Sequence, residues 1–128
     1  MTQTQNNDIV VEQCWYDKAS AYRECPTGWQ HIAKQVEAVL LAEEVSVRQI
    51  KEKFGGLRVY YDVPECWIED LSDEGYGDKI NQIETLINIA DYLCQQTCMT
   101  CGDAGTQGTA YGWVSVFCDK HWKERKGE

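Results

Sequence analysis

Apolar residues recur at helical spacing in two stretches of the chain. Trp29, Ile32, Ala33, Val36, Val39 and Leu40 make one stripe and predict a helix over Trp29–Glu43. Thr27 and Gln30 stand at capping-box spacing before it. His31 falls off the middle of the stripe and reads as a surface residue. Ile80, Ile83, Ile87, Ala90 and Cys94, joined by Leu86 and Leu93, make a second stripe, predicting a helix over Asp78–Gln96. Between the two, Val45 to Val63 reads as strand, turn and strand around Gly55-Gly56. Leu57, Val59, Tyr61 and Val63 alternate cleanly. In the first arm Val45 and Val47 share one parity while Ile50 and Phe54 take the other. A short helix over Val47–Phe54, stopped by Gly55, is therefore the alternative to a hairpin. Pro64 to Gly77 reads as a long acidic loop. Residues 1–8 read as a flexible tail, and Ile9–Glu24 has no clear period.

The final segment changes period again. Gly105, Gly108 and Gly112 punctuate a β-rich run to Phe117 that predicts a hairpin. Val114, Val116 and Cys118 fall on one parity, Tyr111, Trp113 and Phe117 on the other. After Cys118 the chain becomes charged and helix-compatible, with Asp119 at the expected N-terminus and Arg125 and Lys126 near the C-terminus, as the helix dipole favours. The elements add up to an α+β fold: two main helices, a small hairpin and a C-terminal module of knuckle, hairpin and short helix. The expected organisation is one compact domain over 9–128, with 97–126 as an integrated metal-binding part.

Cys98-Met99-Thr100-Cys101 and Cys118-Asp119-Lys120-His121 supply that part with chemistry. Zinc favours four tetrahedral thiolate and imidazole ligands, and two residues between ligands let one turn offer both side chains to one ion. Gly102 follows the knuckle where the backbone often needs a conformation costly for other residues. Cys98, Cys101, Cys118 and His121 are thus expected to hold one structural zinc in a treble-clef-like module, a zinc ribbon being the alternative. Four ligands close the shell, whereas a catalytic zinc keeps a position open. A redox Cys-x-x-Cys would need a βαβ context, and a zinc deaminase a His-x-Glu, which follows neither His31 nor His121. Cys14, Cys25, Cys66 and Cys94 remain and read as small hydrophobes.

Composition bounds the rest. The chain has 128 residues, seven cysteines and a formal net charge of −9. An odd cysteine count without an export signal favours metal in a reducing compartment over disulfides, and no apolar run is long enough to span a bilayer. A cytoplasmic protein without a membrane partner is the expectation. Net acidity argues against a nonspecific grip on phosphates, but the charge is uneven. From Pro64 to Asp91 eight acidic residues, among them Glu65, Glu69, Asp70, Asp73 and Glu74, face Lys79 alone. Basic residues gather at Arg48, Lys51, Lys53 and Arg58, and again from Lys120 to Lys126.

The run Lys51-Glu52-Lys53-Phe54-Gly55-Gly56-Leu57-Arg58, then a helix, Cys98-x-x-Cys101-Gly102, Gly112-Trp113 and Cys118-x-x-His121 resembles a family of small uncharacterised proteins of tailed phages and prophages. Gly28-Trp29 also looks like that family, so the resemblance covers about residues 25 to 122. It implies a phage-type protein working in the host cytoplasm on a host or phage protein partner, and it brings no established activity. One candidate role is inhibition of a host defence or nucleic-acid-handling complex, with the acidic run from Glu65 to Asp78 presenting negative charge that mimics DNA. A second is nucleic-acid binding through Lys51, Lys53, Arg58 and Tyr60, helped by the basic run from Lys120 to Lys126, where cations beside aromatics contact phosphate and stack on bases. An enzyme ranks last, because no nucleophile, base and acid set can be assembled from these residues.

Overall fold

The computed structural model describes residues 21–69 and 74–127. The expected tail at 1–8, most of Ile9–Glu24, and Cys14, Asp70 and Asp73 lie outside the described residues. The first helix is entered through a single 3-10 turn, Thr27–Trp29, which runs into α1, Gln30–Ala42. Trp29, Ala33, Val36 and Leu40 are buried as the stripe requires, while Val39 sits half-exposed at its edge. The capping box does not form. Thr27 lies inside the 3-10 turn with no side-chain cap, and the Gln30 amide donates instead to the Cys25 carbonyl. The Gln30 N–H that a capping box needs goes to the Thr27 carbonyl instead, while the Gly28 N–H reaches across the fold to the carbonyl of Met99 at 2.7 Å.

Strands β1 (Ser46–Lys53) and β2 (Gly56–Asp62) form an antiparallel hairpin, so the short-helix alternative falls away. The register pairs Val47 with Tyr61 but Gln49 with Tyr60, which leaves Arg48 as the extra residue of a bulge. One inserted residue reverses the side-chain alternation. That is why Val45 and Val47 share one parity and Ile50 the other, with both Val45 and Ile50 buried. The turn is Phe54-Gly55, one residue earlier than Gly55-Gly56. Both residues have positive φ, 55° and 80°, as a type I′ turn demands.

The acidic stretch is not a loop throughout. A short helix α2, Glu65–Glu69, follows Pro64, and the long helix α3 runs Glu74–Cys94, starting before the expected Asp78. Trp67 is the cause. Its N–H bonds to the Pro64 carbonyl, and its buried ring stacks on Tyr76 at 6.0 Å with the Lys79 ammonium 5.5 Å from its centre. One large apolar side chain thus draws an otherwise solvated segment onto the core.

Helix α3 buries Ile83, Ala90 and Cys94 and half-buries Ile80, Leu86 and Ile87. Leu93, expected in the stripe, is 48% exposed, because the buried face turns through Ala90 and Cys94 instead. Polar contacts join α3 to the hairpin: the Asp91 carboxylate accepts the Leu57 N–H at 2.8 Å, and the Tyr61 hydroxyl donates to Glu84. Strands β3 (Thr106–Ala110) and β4 (Trp113–Phe117) make the second hairpin, and α4 spans Asp119–Lys126, ended by left-handed Gly127. Met99 and Val116 belong to the same core cluster as Trp29, Leu40 and Ile50, so the C-terminal part shares the main core. Among the described residues no helix is long and apolar enough to cross a membrane.

Candidate metal centre

Just past α3, Thr97 bridges to Ala104, and the five residues Cys98–Gly102 turn tightly between them. The Gly102 N–H reaches the Cys98 carbonyl at 3.0 Å and the Cys98 N–H reaches Asp103 at 2.7 Å. Gly102 has φ +85°, the left-handed conformation anticipated from its position after Cys101. The Met99 N–H donates to the Val116 carbonyl, pinning the knuckle to β4. Opposite, Cys118 is the N-cap residue of α4 in extended conformation, and His121 lies in the helix's first turn.

Trp122 fixes that helix in place. Its indole N–H donates to the Thr106 carbonyl at 2.9 Å, and Phe117 meets it edge-on at 5.0 Å. Its ring lies over Gly108, where a β-carbon would come within 2.8 Å of it. The glycine between β3's threonines is therefore a platform for an aromatic ring.

These supports bring Cys98, Cys101, Cys118 and His121 together, with their ligand atoms within 4.8 Å of one another. The Cys101 and Cys118 sulfurs are 3.9 Å apart. His121 Nδ1 is 3.2 Å from Cys118 Sγ and 3.4 Å from Cys98 Sγ. A tetrahedral ion with sulfur bonds near 2.3 Å and nitrogen bonds near 2.0 Å requires edges of about 3.8 Å between sulfurs and about 3.6 Å between sulfur and nitrogen. The three separations come within about 0.4 Å of those edges, and the four residues lie close enough to hold one ion.

Electrostatics prepares part of the set for a cation. Burial disfavours a Cys98 thiolate, but the backbone N–H groups of Cys101, Cys118 and Thr100 aim at its sulfur and together bring its pKa down to about 6. Cys101 receives the backbone N–H of Asp103, which favours its thiolate. Desolvation and the neighbouring sulfurs outweigh that and push it up to about 11. A thiolate ringed by thiols is the arrangement in which a divalent ion displaces protons on binding.

Gly28 and Trp29 complete the support. A β-carbon at Gly28 would fall 2.0 Å from the Cys98 carbonyl oxygen, and the Trp29 indole N–H donates to Thr97 at 2.8 Å. The entrance to α1 is thus seated on the back of the knuckle. His31 is exposed and stays outside the ligand set.

The other predicted positions separate into two groups. Lys51, Lys53, Arg58 and Tyr60 come together on the outward face of the first hairpin, where Lys51 opposes Arg58 and Gln49 opposes Tyr60. Arg48, at the bulge, pairs with Asp62 at 2.9 Å. Of the acidic set, Glu65 is exposed at the start of α2, Glu69 and Glu74 mark element ends, and Asp70 and Asp73 lie outside the described residues. Cys25 and Cys94 are buried as small hydrophobes, but Cys66 is exposed on α2, where Trp67 takes the inward position. A scan of protein-family models, a search of curated proteins and a search of solved structures each return no match.

Proposed function

We propose that this protein is a phage-type binding module, built around one structural zinc in a treble-clef arrangement, that docks on a host or phage protein in the cytoplasm. The observation that carries this reading is the second hairpin's tip. Tyr111 and Trp113 are 71% and 67% exposed there, and Arg125 of α4 lies 5.5 Å from the Tyr111 ring. Tryptophan, tyrosine and arginine are the residues that concentrate binding energy at protein interfaces. Large rings left in water are costly unless a partner covers them. Tyr111 also holds φ +53°, a conformation uncommon outside glycine, in a turn completed by Gly112.

Zinc supports this reading through stiffness. The ion joins the knuckle, where β3 begins, to α4, which follows β4, and so holds both ends of the hairpin that displays the rings. Three thiolates and an imidazole suit zinc better than oxygen-seeking magnesium or calcium. The resemblance to tailed-phage proteins supports a host or phage partner, with inhibition of a host complex as the role.

The test is affinity capture from bacterial lysate with the zinc-loaded protein and its Trp113→Ala variant. A stoichiometric partner held by the first and lost by the second supports the reading. Equal capture by both takes the partner away from this patch. Metal analysis should give one zinc per chain.

A further inference from the structure

We propose that the outward face of the β1–β2 hairpin, with Phe54 at its tip, binds single-stranded nucleic acid, independently of the protein partner above. Directly opposed residues of an antiparallel pair share a face. The register therefore puts Lys51, Lys53, Arg58 and Tyr60 on one side, with Ile50 and Leu57 buried on the other. Lys53, Arg58 and Tyr60 are exposed and Lys51 is half-buried.

Two features of this face are costly in the isolated fold. Lys51 stands directly opposite Arg58, and like charges in that relation destabilise a hairpin. Phe54 occupies the first turn position with φ +55°, where a type I′ turn favours Asn, Asp or Gly, and its ring is nevertheless 68% exposed. No carboxylate among the described residues pairs with Lys51, Lys53 or Arg58, and both salt bridges seen there involve other cations. A negatively charged ligand with flat apolar groups relieves both.

Each exposed ring has an ammonium beside it: Lys51 Nζ is 5.7 Å from the Tyr60 ring centre, and Lys53 Nζ is 5.5 Å from that of Phe54. A single strand offers a phosphate and an unstacked base at every nucleotide, which matches paired cation and ring. A duplex keeps its bases stacked inside and leaves the rings unused. In a chain of net charge −9, a face bearing three cations that enter no ion pair among the described residues departs from the background and favours an anionic ligand.

The experiment is fluorescence anisotropy at low salt with the zinc-loaded full chain, using labelled oligothymidylate, a duplex of the same length, and polyglutamate as competitor. The single strand should bind more tightly than the duplex. Its log K should fall against log salt with a slope of about −2, from three cations at about 0.7 each. Tyr60→Ala should weaken binding about tenfold with the slope unchanged. Phe54→Gly suits the turn better than the native residue, so weaker binding by that variant cannot be ascribed to unfolding. Trp113→Ala should bind as the parent does. No binding, equal binding of the duplex, displacement by polyglutamate as effective as by unlabelled oligothymidylate, or loss of binding in Trp113→Ala would each overturn the proposal; the polyglutamate result would assign the face to an acidic protein.

Discussion

Gly28 and Cys98 meet backbone to backbone, so closely that a β-carbon on Gly28 would sit 2.0 Å from the Cys98 carbonyl oxygen. The contact brings the Gly28 N–H onto Met99 and the Trp29 indole onto Thr97, and so seats the first helix on the knuckle. Gly28→Ala should therefore destabilise the protein by about 1–3 kcal/mol or more, the range for forcing atoms into filled space. Denaturant melts in excess zinc would measure it. Because Gly28 does not need a positive φ, a stability loss would report the close approach and not backbone strain. An unchanged midpoint would show that helix and knuckle are not in contact.

Cys101 gives the cleaner test of the metal. Its side chain is exposed, so Cys101→Ser removes a ligand with little loss of packing. Structural zinc sites bind with apparent free energies on the order of 10 kcal/mol, and that energy is folding energy. The variant should carry well under one zinc per chain and melt at least about 10 °C lower, since each kcal/mol is about 4 °C in a domain of this size. Metal analysis and circular dichroism would decide it. Full zinc with unchanged melting would refute the ligand assignment.

What could be read from the residues alone was whatever is local in sequence. Ile83, Ala90 and Cys94 announce α3 by spacing, and Cys98-x-x-Cys101 with Cys118-x-x-His121 announces the ligand set. The bulge at Arg48 is legible only as a conflict of parity, which a short helix explains almost as well as a hairpin; the pairing of Gln49 with Tyr60 resolves it. Helix α2 was hidden because charge dominates the segment, while its anchor, the Trp67–Tyr76 stack, depends on the return of α3. Gly28 was visible as a motif without a reason, since the reason lies across the fold at Cys98. Long-range contact explains each of these, and no local pattern encodes it.

The two buried thiols should be inert. Burial is the main reason that Cys25 and Cys94 are both pushed up to about 12, with Glu24 adding to the first and Cys25 and Asp91 to the second. Cys25 also lies with its sulfur 3.2 Å from the Ile50 carbonyl. A thiol reagent at neutral pH should label Cys66, which is exposed, and reach Cys25 and Cys94 only after denaturation. Mass spectrometry of the peptides would read this out. Labelling of Cys94 in the folded protein as fast as Cys66 would contradict the packing of α3.

Tyr61 should make the protein lose stability in alkali. Burial first, then its hydrogen bond to Glu84 and the charge of that carboxylate, raise its pKa from 10 to about 12. The unfolded chain releases the phenolic proton near 10, while the folded chain holds it until about 12. The contribution is therefore present in full below pH 10 and is lost as pH climbs to about 12. Spectrophotometric titration of the folded protein should show one tyrosine ionising late, and Tyr61→Phe should remove that step. Glu84→Gln should move it only part of the way back towards 10, because burial, the largest cause, remains. A late step that persists in Tyr61→Phe would assign it to another tyrosine and remove the Tyr61–Glu84 contact as its cause.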